Sequence, residues 1–223
     1  MELIFVLVAF AVVSLAQVIL RSTYSIYKKQ EISTNLTGKQ VAERILKENE
    51  LNDIDVVEIS GELTDNFNNS RRTISLSSDI YNGSTVASCA VAAHECGHAV
   101  QYKVGYVPIK IRNMLVPIVN IGNTLGYIVI AISLAASITK LFIVGLILIS
   151  LALLFQLVTL PCEFDASRRA NKMLLEYGLI TQEEHRGTKK MLKAAAFTYV
   201  AGLMSSILQV LRLVYIFSGR RRD

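Results

Sequence analysis

Between Asn113 and Cys162 the chain has one formally charged residue, Lys140. No other feature constrains the fold so strongly. The stretch divides at Thr139-Lys140 into two apolar runs, Leu115–Ser137 and Leu141–Leu160, each close to the ~20 residues that a helix needs to cross a bilayer. In lipid every backbone N–H and C=O must find its partner within the protein, so a hairpin of two membrane helices is expected, with Lys140 at its tip. A third run, Leu3 to Leu20, is broken only by Ser14 and Gln17. Ser14-Leu15-Ala16 would pass as a signal-peptidase site. However, the start carries Glu2 instead of a positive segment, and the apolar run continues past the cut, which favours an uncleaved anchor. Ala194 to Phe217 is apolar enough for a fourth span but contains Ser205, Ser206, Gln209 and Arg212, which suit a helix facing protein or a wet cavity.

Charge orients these segments. Arg21, Lys28 and Lys29 follow the first run and only Glu2 precedes it, so the positive-inside rule places the next segment in the cytoplasm. Two further crossings return the chain to that side, where Arg168, Arg169, Lys172, Arg186, Lys189, Lys190 and Lys193 agree with the assignment. A fourth crossing would carry Arg220–Arg222 outside, against the rule. The net charge of +5 is modest and its basic residues are scattered or flank apolar runs, so a lipid bilayer is the expected partner and nucleic acid is not. Three cysteines, Cys89, Cys96 and Cys162, imply no disulfide framework and fit a reducing compartment.

The polar segments have their own periodicities. Thr37 to Leu51 reads as a helix with Thr37 as N-cap and Val41, Ile45 and Leu46 on one face. Ile54–Ile59 reads as a strand and the Gly-, Asp- and Asn-rich Gly61–Ser70 as a loop. Arg72–Ser77 alternates strictly, as a strand that either lies at an edge able to pair with an extended peptide or packs on the helix that follows. That helix is Ser84–Tyr102, with Gly105 and Pro108 marking its end and a turn. Gly122 and Gly126, four apart, either permit close helix contact or fall there at random.

The chemistry concentrates in Val91 to Gln101. His94 and His98 are four apart, so a helix puts both imidazoles on one face. Two such rings can close on one zinc ion, while Glu95 lies beside the metal, where a general base would take a proton from water. The chain has only three histidines, and two of them flank this glutamate. Cys96, two residues past His94, points to roughly the other side of the helix and reads as a packed residue.

The chain resembles the YugP-type neutral zinc metallopeptidases of bacterial membranes. The matching stretches are Gly61–Asp65, Ser84–Gln101, Pro161-Cys162-Glu163-Phe164-Asp165-Ala166-Ser167-Arg168-Arg169-Ala170, and Lys193–Val200. The chain departs from the family at Asp65-Asn66-Phe67-Asn68-Asn69, where members carry Asp-His-Tyr-Asp-Pro. The resemblance implies a membrane-anchored metalloprotease with a cytoplasmic zinc domain, multi-pass in the bacterial inner membrane.

The expected fold is a mainly α integral membrane protein: a zincin-like zinc-protease domain with a small β-sheet, packed on a transmembrane helical bundle. Residues 1–20 are the anchor, 21–113 the zinc domain, 114–160 the hairpin, 161–193 a second catalytic segment, and 194–223 a membrane helix with a basic tail. The expected ligands of Zn2+ are His94, His98 and Glu163, with Glu95 as catalytic base. Ala99–Ile111 holds no histidine for a metzincin-like third ligand, and catalytic zinc commonly pairs two histidines with a carboxylate. Glu163 lies in the family's second motif, just past Pro161 at the expected start of a helix. Asp165 is the rival, better suited to orienting a ligand histidine. Thermolysin-type enzymes keep that orienting aspartate four residues after the glutamate, where this chain has Ser167. Tyr81, His185, Arg168 and Tyr199 are candidates for an oxyanion donor. The expected activity is hydrolysis of protein or peptide substrates. A zinc-stabilised membrane scaffold and an inactive protease-like binder are the alternatives.

Overall fold

The structure is a computed structural model and describes residues 2–220. Seven helices and three strands follow in the order α1 (Glu2–Tyr27), α2 (Gly38–Glu48), β1 (Asp55–Ile59), β2 (Asn66–Asn68), β3 (Thr73–Ser77), α3 (Ser78–Asn82), α4 (Val86–Lys103), α5 (Val107–Ala136), α6 (Thr139–Glu176) and α7 (Gln182–Arg220). The protein is mainly helical, and α1, α5, α6 and α7 are each long and apolar enough to cross a membrane. Arg221 and Arg222 of the expected basic tail lie outside the described residues.

The chain forms two units. One comprises residues 18–106 and 162–196. Its core gathers Val41, Ile45 and Leu46 of α2, Ile74 and Leu76 of β3, the small residues of α4, and Leu174, Met191 and Leu192. Thr37 caps α2 as expected, in a reciprocal box: Thr37 N–H donates to Gln40 Oε1 at 2.9 Å, and Gln40 N–H to Thr37 Oγ1 at 3.3 Å. Such a cap stabilises a helix by about 1 kcal/mol. Gly105, at φ 66, ends α4 in the left-handed region that a residue without Cβ adopts freely.

The sheet has the order β1-β3-β2, with β1 parallel and β2 antiparallel to β3. Two expectations are corrected here. The Arg72–Ser77 strand is central, not an edge, and is hydrogen-bonded on both sides. The Gly61–Ser70 loop contains the short strand β2. Alternation reveals which face of a strand is buried, as it does for Ile74 and Leu76 at 0% exposure, but not who its neighbours are.

The other unit comprises residues 1–17, 107–161 and 197–223. Within it α5 and α6 approach closely at glycines: a Cβ on Gly126 would lie 3.2 Å from the Gly145 carbonyl oxygen, and one on Gly145 would lie 3.0 Å from that of Gly126. The Gly122/Gly126 spacing therefore marks a packing face, with Gly122 against Leu151 and Leu148. A cluster of Ile130, Phe142, Ile149 and Leu213 completes it, and Phe142 stacks on Phe217 with ring centroids 5.3 Å apart.

Pro161 does not open a helix. It lies inside α6, which runs unbroken from Thr139 to Glu176, so Glu163 is a mid-helix residue. Pro117 likewise lies inside α5. Proline removes one N–H from the helical ladder, a loss that long apolar helices tolerate where neighbouring groups satisfy the freed carbonyl.

Candidate metal centre

The site is assembled where α4 meets α6. A Cβ on Gly97 would lie 2.6 Å from the Ala166 carbonyl oxygen and 3.2 Å from its Cα, so only glycine allows the two backbones this close. His94 and His98, one turn apart on α4, flank this contact, and Glu163 lies three residues before Ala166 on α6. The contact brings the three side chains together. His94 Nε2 is 3.2 Å and His98 Nε2 3.6 Å from Glu163 Oε2, and the two rings meet edge to face at 4.7 Å. One ligand atom from each residue falls within 4.8 Å of the others. Among the described residues the group has three members.

Each histidine is held from behind. Gln101, fully buried and three residues after His98, donates from Nε2 to the Cys162 carbonyl at 2.8 Å and to Asp165 Oδ2 at 3.0 Å. Both of those partners accept only, so they fix the amide's orientation and turn Oε1 toward His98 Nδ1 at 3.0 Å. A carbonyl oxygen cannot donate. The neutral His98 ring therefore carries its proton on Nδ1 and keeps the lone pair of Nε2 for a metal ion. Asp165 in turn is paired with Arg168 and, at 2.6 Å, with Arg169. His94 Nδ1 lies 3.2 Å from Ser167 Oγ.

The electrostatics follow from burial and from these partners. Burial works against the charged forms of Glu163 and Asp165. The imidazoles beside Glu163, and Arg169, Gln101 and Arg168 around Asp165, outweigh it and hold both carboxyls below the usual range. His98 is also disfavoured as a cation by burial, yet the neighbouring Glu163 carboxylate and Glu95 raise its pKa overall. Glu95 behaves differently. Burial raises its pKa, the two histidines oppose this, and Glu163 and Asp65 add to it. No hydrogen bond among the described residues engages its carboxylate. Asp65 is anchored at the end of β3, accepting from Ser77 N–H at 2.7 Å and from Ser77 Oγ at 3.0 Å.

The expected residues are thus found in one place: His94, His98 and Glu163 converge, with Glu95 next to them. Asp165 reaches a histidine, but only through Gln101. Gln101 and Ser167 were not foreseen as partners. The signals were present, in Gln101's three-residue spacing from His98 and in Ser167's place four residues after Glu163. Cys96 is buried against the Ala42 carbonyl, away from the site. Of the oxyanion candidates, Tyr81 lies under Lys39, Arg168 is paired with Asp165, His185 lines a cavity with Arg168, and Tyr199 belongs to the other unit.

The donor set suits zinc: two neutral imidazoles and one carboxylate, the histidines backed by hydrogen-bond partners that orient their rings. Comparison with known proteins agrees. Residues 2–218 match the family described as "Putative neutral zinc metallopeptidase". The chain is 38% identical over 208 residues to the "Putative membrane protease YugP" of Bacillus subtilis (strain 168), covering 93% of this chain and 92% of that protein. No solved structure matches it.

Proposed function

The chain belongs to this family of neutral zinc metallopeptidases, and on that premise we propose that it is a membrane-embedded zinc metalloendopeptidase hydrolysing peptide bonds of membrane or cytoplasmic proteins. The observation that carries the reading is the convergence of His94, His98 and Glu163 within 4.8 Å beside Glu95, whose burial raises its pKa. Bound zinc would supply the positive charge that polarises a scissile carbonyl and acidifies water.

The chain's own residues do the rest. His94, His98 and Glu163 would hold the ion, two imidazoles and one carboxylate as in catalytic zinc sites. Gln101 and Ser167 keep the two imidazoles turned toward it. Glu95 takes the proton of the attacking water and later gives it to the leaving amine; burial suits it to both tasks by bringing its pKa up toward the working pH. The zincin-like feature is the metal helix α4 beside a small sheet. A purely structural zinc site is less well supported, because such sites are usually closed by four ligands rich in cysteine, and the group here is His94, His98 and Glu163.

In this reading residues 21–113 and 161–193 form the catalytic body, 1–20, 114–160 and 194–223 are membrane segments, and the body faces the cytoplasm. Arg21, Lys28, Lys29 and the basic Arg168–Lys193 stretch support that orientation. An impermeant thiol reagent on intact cells should not label cysteines introduced at position 66 or 183; labelling there reverses the topology.

Glu95→Gln tests the chemistry. The variant should keep near-full zinc content and lose cleavage of an unstructured protein by several orders of magnitude, as removal of an essential base implies. Equal cleavage by wild type and variant would sink the protease reading.

A further inference from the structure

A cavity of about 620 Å³ lies between α6 and α7 within the unit that holds the metal centre. Its walls are regular. On α6, Phe164, Arg168 and Lys172 recur every fourth residue and so share a face. On α7, His185, Lys189 and Lys193 do the same, with Leu192 beside them. Apolar side chains and cationic groups thus line the cavity together.

The positive charge is poorly neutralised. Arg168 is paired with Asp165, and Lys172 has Glu176 at 3.9 Å, but no carboxylate among the described residues pairs with Lys189 or Lys193. Glu184, beside His185 in sequence, is engaged elsewhere, accepting from the Ser33 and Thr181 N–H groups at 2.6 and 2.7 Å. Burial and the charge of Lys189 lower the pKa of His185, so that ring stays neutral and the lysines dominate. Two facing walls of like charge repel each other, and an anion between them removes that cost.

We propose that this cavity binds the phosphate headgroup of an anionic phospholipid. The inference rests on the reading that the apolar segments of α6 and α7 cross a bilayer. The apolar run of α6 ends at Cys162 and that of α7 begins at Ala194. At ~1.5 Å per helical residue, Arg168 follows the first boundary by ~9 Å, and Lys193 and Lys189 precede the second by ~2 and ~8 Å. The polar layer of a membrane leaflet is about 5–8 Å thick. Lys193 and Lys189 therefore lie within that layer and Arg168 at its outer edge, with the half-exposed Phe164 on the apolar side. Basic pockets between membrane helices are a known mode of headgroup recognition. An acidic side chain of a peptide would need one cation at one depth and would not call for this matching.

The test uses the purified full chain in detergent, titrated with phosphatidylglycerol or phosphatidylcholine and followed by native mass spectrometry. Wild type should retain phosphatidylglycerol preferentially. The exposed pair Lys189→Gln/Lys193→Gln should weaken that retention about 10–30-fold, as loss of two near-surface cations implies. Arg186→Gln/Lys190→Gln removes as much charge from exposed positions of the same helix that do not line the cavity, and should behave as wild type. Zinc content and circular dichroism check folding, and Lys172→Gln/Lys189→Gln serves should the first pair misfold. Equal retention of the two lipids, or equal losses in both charge-removal pairs, would overturn the proposal. So would unchanged lipid retention accompanied by a raised KM for acidic peptides, which would make the cavity a substrate subsite. No lipid measurement depends on proteolysis, and resistance to alkaline extraction from membranes tests the bilayer premise separately.

Discussion

Two of the glycine-mediated contacts of helix α6, one in each unit, differ in what closeness achieves. In the apolar unit Gly126 and Gly145 let α5 and α6 touch, and the contact is itself the product. Lipid tails are as apolar as leucine, so close van der Waals packing is one of the few forces that hold such helices together. In the other unit Gly97 lets α4 touch α6 at Ala166, and the contact is a means of alignment. It brings two imidazoles and a carboxylate together and lets Gln101 of α4 reach Cys162 and Asp165 of α6. The first contact should tolerate small errors. The second should not, because a metal site is sensitive to displacements of a fraction of an ångström.

The sharpest way to break the comparison is at Glu163. Glu163→Ala should abolish most zinc binding and with it activity, by metal analysis of purified protein. Stoichiometric zinc in that variant, with zinc lost from Asp165→Ala, would show that the wrong carboxylate had been assigned. Gly97→Ala should come next, since its Cβ meets backbone at 2.6 Å and the two helices must separate; zinc affinity and activity should fall together. Gln101→Leu and Asp165→Ala should each cost about 10–100-fold in zinc affinity or activity. Combined they should cost little more than either alone, because both act on the same imidazole. Additive losses would mean that Asp165 acts by another route.

A milder effect comes from pH. The raised pKa of His98 means that its imidazole keeps a second proton to higher pH than an ordinary histidine, and the protonated ring cannot ligate. Zinc affinity should therefore be full above that pKa and decline as the pH falls through it, measured by competition with a chelator. Smaller still is Gly126→Ala in the apolar unit. Its Cβ would meet Cγ1 of Ile149 at 2.7 Å, Cβ of Leu148 at 3.1 Å and the Gly145 carbonyl oxygen at 3.2 Å, so the two helices must shift and stability should fall by about 1–3 kcal/mol, with zinc content unchanged.

The difference between the two contacts also explains what could be read without a structure. His94, Glu95 and His98 belong to one helix, so their mutual geometry follows from spacing alone. The four helices long and apolar enough to cross a membrane were equally plain, since their length and composition can be read residue by residue. Glu163 needed residue type, the absence of a nearby third histidine and the family resemblance together. Gln101 and Ser167 were missed because their partners depend on which faces of α4 and α6 meet, and that depends on Gly97, whose role shows only against Ala166. β2 was missed because three residues in an Asn-rich segment carry no usable period. Whether β3 lay at an edge stayed open because strand order is not a local property. Pro161 looked like a helix start, as proline usually does, but here the helix passes through it.

The three buried cysteines have a consequence in redox chemistry. Burial pushes the Cys89 thiol up to about 12 and raises that of Cys96 well above the usual thiol range, so at neutral pH neither supplies the thiolate that oxidants and alkylating agents attack; Cys162 is also fully buried. Although Cys96 lies between the two zinc-motif histidines, it offers an oxidant no handle on the site. Peroxide or iodoacetamide at concentrations that silence thiol enzymes should leave zinc content and cleavage unchanged, and a chain with all three cysteines replaced by alanine or serine should respond in the same way. The protein would then keep working through oxidative stress that inactivates its thiol-dependent neighbours.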